Sequence, residues 1–151
     1  MTLGKIITIE GIDGCGKETQ SKELIKNLRT AGYGCTLFNF PRYHTPTGNL
    51  IKQIQDNKTL KNLSLEQITG LYAQDRFEAQ EEMLFWISYH NTIVVNDRYI
   101  ESNMAYQGAR FFEKRKEVWE YICKVELEKL GNRPSDIVIL LDIPVEYSAR
   151  A

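Results

Sequence analysis

Apolar residues follow two rhythms along this chain. Four short, nearly continuous apolar runs stand at Lys5-Ile6-Ile7-Thr8-Ile9-Glu10, at 35–40, at Thr92-Ile93-Val94-Val95-Asn96 and at 137–141. They are short, and the first is rich in β-branched residues, which predicts buried parallel strands. Pro41 stops the second run and Asp142 ends the fourth, which reads as a core strand. Between the runs the period lengthens. Leu24, Ile25 and Leu28 fall at helical spacing in a segment reaching about Arg29, with Gly32 and Gly34 bracketing the turn after it. A short helical pattern covers 48–54, followed by a polar stretch to Asn62. Ser64 with Gln67 three residues on forms a capping box and opens a helix that can run to Tyr89. A further helix carries Val118, Trp119, Ile122 and Leu130 and closes at the turn Gly131-Asn132-Arg133-Pro134. Strands alternating with helices predict an α/β fold, a parallel sheet flanked by helices.

Composition narrows the class. The 151 residues suit a single domain spanning 1–151, with 19 Lys+Arg against 20 Asp+Glu and a formal net charge of -1. Such near-neutrality argues against a protein that coats nucleic acid. Cys15, Cys35 and Cys123 are too few and too scattered for a disulfide framework or a zinc site. The chain enters a strand at once, so no signal peptide is expected, and no apolar run reaches the ~18–20 residues of a membrane span. A reducing, cytoplasmic setting is expected. Pro144 begins a helix that has barely started at Ala151, so the chain is expected to be C-terminally incomplete, with a fifth strand beyond its end.

The first strand leads into Gly11-Ile12-Asp13-Gly14-Cys15-Gly16-Lys17, and a helix follows. A strand, a Gly-x4-Gly-Lys turn and a helix form a phosphate-binding loop. Its glycines let successive backbone N–H groups face phosphate oxygens, and the helix N-terminus adds positive potential. Lys17 reaches the β- and γ-phosphates of a nucleoside triphosphate such as ATP. Lys17 is expected on an exposed loop, and the alternative for the whole stretch is an ordinary Gly-rich turn with a solvated lysine. One position breaks the pattern: Glu18 stands where a hydroxyl usually holds Mg²⁺, and Thr19 follows it.

Asp97-Arg98-Tyr99 leaves the third strand at the carboxyl end of the sheet, where open α/β folds bind ligands. An aspartate there can hold Mg²⁺ and an arginine can bridge phosphates, or the two can form a plain surface ion pair. Arg42, just after the second strand, and Arg76, in the long helix, favour an anionic substrate. Arg110 and Arg115 read as a solvated face.

These residues together resemble the thymidylate kinases. The resemblance rests on 10–17, on Phe40-Pro41-Arg42, on Leu71-Tyr72-Ala73-Gln74-Asp75-Arg76, on the stretch from Asp97 to Gly108 and on Arg133-Pro134-Ser135-Asp136. It implies phosphorylation of dTMP by Mg·ATP, with Lys17, Asp13 and Arg98 at the reaction centre and the loop from Gly11 to Thr19 around ATP. It implies that Asp13 approaches the sugar 3′-hydroxyl or the metal shell, and that Asp97 serves the metal. Phe40, Pro41 and Arg42 would line the acceptor site, with Arg42 and Arg98 on its phosphate. Tyr72 would stack on thymine, and Arg76 would contact the base or the phosphate beside it. Ser102, Asn103 and Gln107 would complete the base site, and Tyr106 would exclude a ribose 2′-hydroxyl. A homodimer is implied too, and the long helix with Met83, Leu84, Phe85 and Trp86 suits either an interface or packing on the sheet.

The chain also departs from the family. Gly14 and Cys15 occupy places where some members carry a basic residue in the loop. In members without it, a lid after the fourth strand supplies arginine, and that lid would fall past Ala151. The chain alone is therefore expected to bind dTMP but turn it over slowly. Two rivals stand beside the monophosphate kinase. A deoxynucleoside kinase shares the fold but needs a base for its hydroxyl acceptor, and an inactive nucleotide-binding module would bind without turnover.

Overall fold

The computed structural model describes residues 3–148, and its helices and strands alternate from the first strand onward. The strands are β1 (Lys5–Gly11), β2 (Gly34–Asn39), β3 (Thr92–Asp97) and β4 (Ile137–Leu141). The helices are α1 (Lys17–Thr30), α2 (Pro46–Asp56), α3 (Leu65–Ile87), α4 (Ile100–Arg110), α5 (Arg115–Cys123) and the short α6 (Val145–Ser148). Residues divide into two compact units. One holds the chain up to Asn39, Glu81–Tyr99 and the segment from Ser135; the other holds Phe40–Gln80 and Ile100–Pro134.

The first unit contains the sheet, all parallel, in the order β2-β3-β1-β4. On one face Ile7, Ile9, Cys35, Ile93 and Val95 pack with Ile25 of α1, joined by Leu24, Leu28, Leu37 and Leu141. Side chains alternate across a strand, so Ile6 and Val94 point to the opposite face, where they are fully buried. Met83 and Ile87 of the last turns of α3 are buried in the same unit, and the Gly4 N–H donates to the Ile87 carbonyl at 2.9 Å. Full burial of each such side chain contributes about 1.5–3 kcal/mol. The register fixes the site. Ile9 lies opposite Asp97, Asn39 opposite Asp97 on the other side, and Gly11 opposite Leu141, so β2 and β3 end together and β1 and β4 end together two residues farther on.

Strand β4 departs from the expected core strand. It is one of the two edges of this sheet, and Ile137, Val138, Ile139 and Leu140 are 38–67% exposed among the described residues. An apolar run reports burial on average, and it cannot say which strand sits at the edge.

The second unit is helical. Its buried apolar residues include Ile51, Ile68, Ala73, Ala79, Ile100, Val118, Ile122 and Val125. The capping box forms as the sequence predicts: Gln67 N–H donates to Ser64 Oγ at 3.2 Å and Ser64 N–H to Gln67 Oε1 at 2.9 Å. The helix read through to Leu130 is interrupted, because α5 ends at Cys123 and a π-turn, Lys124–Lys129, continues it. Arg110 is not merely solvated, for it donates to the carbonyls of Leu60, Lys61 and Leu63 and clamps the 3₁₀ turn there. No helix among the described residues is long and apolar enough to cross a membrane.

Candidate active site

In the first unit the loop from Gly11 to Gly16 leaves β1 and enters α1 at Lys17. Gly16 caps that helix at φ 92, a left-handed conformation that strains any residue with a Cβ. Lys17 is not on an exposed loop as expected. It is 7% exposed, and its ammonium donates to the Ile12 carbonyl at 2.8 Å and lies 3.8 Å from Cys15 Sγ. Glu18 turns back along the helix to Lys22, which holds its carboxyl below the usual range, and Thr19 is exposed.

Arg98 begins the turn after β3 at φ 67, a left-handed strain of a kind found at functional sites. Neighbouring hydrogen bonds hold it: Arg98 N–H donates to the Ile9 carbonyl at 3.0 Å, and Tyr99 N–H to Glu10 Oε1 at 2.8 Å. The guanidinium reaches back to the loop, donating from Nη1 to the Gly11 carbonyl at 3.3 Å and from Nη2 to Asp13 Oδ1. It is more than a surface ion pair, because the Arg98 side chain is only 17% exposed while Asp13 stays 80% exposed. Half-buried Asp97 has its pKa raised by burial, opposed by Lys17 and Arg98 and supported by Glu18. Asp13, Lys17, Asp97 and Arg98 thus converge where β1 and β3 end.

The second unit gathers the other candidates. The Phe40–Pro41 peptide is cis, Phe40 is buried, and Arg42 follows. Arg42 is tied to α3: its N–H donates to Asp75 Oδ2 at 2.9 Å, Nε to Asp75 Oδ1 at 3.2 Å and Nη2 to the Asp75 carbonyl at 2.9 Å, with Glu78 beside it. Thr45 caps α2 by accepting from Gly48 N–H, and it donates to the Arg42 carbonyl at 2.9 Å. A Cβ on Gly48 would lie 1.8 Å from that carbonyl oxygen, so only glycine allows the approach. Tyr72 accepts from Gln55 Nε2 at 2.9 Å. Burial raises its pKa, with smaller effects from Gln55, Tyr43, Arg76 and Tyr106. Tyr106 is half exposed, while Asn103 and Gln107, on the buried side of α4, are each 4% exposed.

Arg76 is buried against Glu126, which accepts from its Nε at 3.0 and 3.1 Å and also from Nη2. Asn103 Nδ2 donates to Glu126 Oε1 at 3.4 Å, and Asn132 Nδ2 donates to Glu126 Oε2 at 2.7 Å and to the Ala73 carbonyl at 3.1 Å. The amide oxygens of Asn103, Gln107 and Asn132 are buried with no hydrogen-bond partner among the described residues. Ser102 lies on α4, partly buried.

Glu10, Asp75, Glu126 and Asn132 escaped the sequence reading as site residues. Glu10 and Asp75 stand within stretches already singled out and Asn132 within the turn after the last helix, whereas Glu126 left no signal. The described residues contain no cluster of three or more His, Cys, Asp or Glu that could hold a metal alone. The half-buried Asp97 carboxylate still suits a cation that takes its other ligands from phosphate and water.

The thymidylate kinase family model matches residues 9–150. A probable thymidylate kinase from Thermococcus gammatolerans is 34% identical over 98% of this chain and 70% of its own length. The thymidylate kinase of Prochlorococcus marinus is 36% identical over 96% of this chain and 69% of its own. The solved structure of thymidylate kinase from Candida albicans superposes with a TM-score of 0.79 at 26% identity, covering 99% of this chain and 67% of that one. With its phosphate loop, its Asp97-Arg98 strand end and its parallel sheet, the chain belongs to the thymidylate kinase family.

Proposed function

We propose that this protein transfers the γ-phosphoryl group of ATP to the phosphate of dTMP, giving dTDP and ADP. The observation that carries the reading is the convergence of Lys17 and Arg98 on the loop that leaves β1, beside Asp97 at the end of β3. No covalent intermediate is needed, because phosphoryl transfer depends on alignment and on stabilising charge. Gly11 to Thr19 cradle ATP, and Lys17 leaves the Ile12 carbonyl for the β- and γ-phosphates. Arg98 takes the acceptor phosphate with Arg42, whose contacts to Asp75 hold it still. Tyr72 stacks on thymine while Arg76, Asn103, Gln107 and Ser102 address its edge, and Tyr106 screens the 2′ position. Phe40 and Pro41 shape the approach to Arg42.

Asp97 would hold Mg²⁺ through water, and the ion would neutralise charge between the β- and γ-phosphates. Exposed Leu84 and Phe85 on α3, with Tyr89 edge-on to Phe85, support a homodimer. Met83 is excluded from that surface by its burial. Three free cysteines suit a reducing cytoplasm.

A coupled ADP-release assay with dTMP and thymidine, alongside calorimetry with each, tests the reading. Binding of dTMP with ADP release supports it. Preference for thymidine supports a deoxynucleoside kinase, and dTMP binding without any ADP release supports the inactive module.

A further inference from the structure

Glu126 has no place in the reaction described above, yet it is fully buried at the centre of the polar cluster of the second unit. It sits in the π-turn that replaces the last turns of α5, closed by Asn132 N–H donating to the Glu126 carbonyl at 2.8 Å. Such turns are rare and frequent at functional sites. We propose that Glu126 is a positioning residue that sets which base edge the site accepts, through Arg76 and Asn103. This deepens the dTMP kinase reading and rests on it.

An ionised carboxylate only accepts hydrogen bonds. Every group facing Glu126 must therefore present N–H, and three do: Arg76, Asn103 and Asn132. For Arg76 this fixes the plane of the guanidinium. For Asn103 it fixes the amide orientation, because Nδ2 must face the carboxylate and Oδ1 must face away. That oxygen is buried without a partner among the described residues, as are Asn132 Oδ1 in the same cluster and Gln107 Oε1 one turn later on α4. Buried orphan acceptors are costly and call for a donor. The site then offers a guanidinium donor and an amide acceptor on neighbouring groups. A thymine edge matches it, with the C4 carbonyl toward the guanidinium and N3–H toward the amide oxygen. A cytosine edge reverses both polarities, placing an amino group against the cation and a bare N3 against the acceptor.

Calorimetry with dTMP and 5-methyl-dCMP isolates the edge, since the two differ only there. The wild-type chain should bind dTMP at least 10- to 100-fold more tightly, the range set by one mispaired buried polar group. Glu126→Gln presents an amide that can itself donate, so Asn103 can turn over. It should weaken dTMP about tenfold and leave 5-methyl-dCMP nearly unchanged, collapsing the ratio. ATP affinity, a property of the first unit, should stay constant and serves as the folding control. Asn132→Ala withdraws a donor from Glu126 Oε2 and should lower the ratio in the same direction by less, deciding the matter if Glu126→Gln does not fold. Equal weakening of both nucleotides in the variants, or a wild-type chain indifferent between them, would overturn the proposal. A wild-type chain that binds neither nucleotide would instead sink the kinase reading.

Discussion

Lys17 donates to a carbonyl of its own loop, so replacing it removes a buried hydrogen bond as well as a phosphate contact. Lys17→Ala should lower stability by about 1–2 kcal/mol and ATP affinity by roughly 30-fold or more, read by thermal melting and calorimetry. Glu18 behaves differently. Its carboxylate lies with Lys22 on the open face of α1, and its folded pKa is lowered, so the pair stabilises above the usual glutamate range and the effect fades as pH falls through the folded value. Exposed pairs of this type contribute little. Glu18→Ser should leave the melting temperature unresolved from wild type near pH 7 while tightening Mg·ATP binding by restoring a hydroxyl. Individual candidates such as Lys17, Asp97, Arg98 and Arg76 could be read from the sequence because each stands within a local motif. Their partners could not. Glu126 meets Arg76 across fifty positions, and nothing near residue 126 in the chain announces it.

Among the elements, the turn from Phe40 to Gly48 is the most constrained, since Arg42, Thr45 and Gly48 share one carbonyl. Gly48→Ala forces a methyl into backbone and should cost about 2–3 kcal/mol, with dTMP affinity falling as Arg42 shifts. Denaturant melts and dTMP calorimetry check both. Strands and long helices were legible because burial and period coincide in them, as β1, β3 and the capping box of α3 illustrate. Helix α4 was legible only as a motif. Its buried positions Ile100, Asn103, Gln107 and Gly108 keep helical spacing, but two of the four are amides, so the apolar rhythm falls silent. The break of α5 into a π-turn left no trace either, because one extra residue in a turn changes the phase and leaves the composition as it was.

At the scale of the whole chain each unit has its own hydrogen-bond network, one joining Arg98 to the loop after β1 and one around Arg42, Arg76 and Glu126. Ligand that binds only the folded chain stabilises it by mass action, about 2.7 kcal/mol at a hundredfold excess over Kd, or roughly 5–10 °C here. Saturating dTMP should therefore raise the melting temperature of wild type and Lys17→Ala alike, while ATP should raise only the former. Fold class and the carboxyl-end location of the site were legible at this scale from alternation alone. The edge position of β4 was not, because strand order is set by long-range pairing. The resting Arg98 guanidinium already has the Asp13 carboxylate seated on it. If Arg98 receives the acceptor phosphate as proposed, that phosphate arrives by exchange, and the loop acts as its own weak competitive inhibitor. Asp13→Asn should empty that seat of charge. Inorganic phosphate should then bind more tightly by titration, and phosphate affinity should depend more steeply on ionic strength.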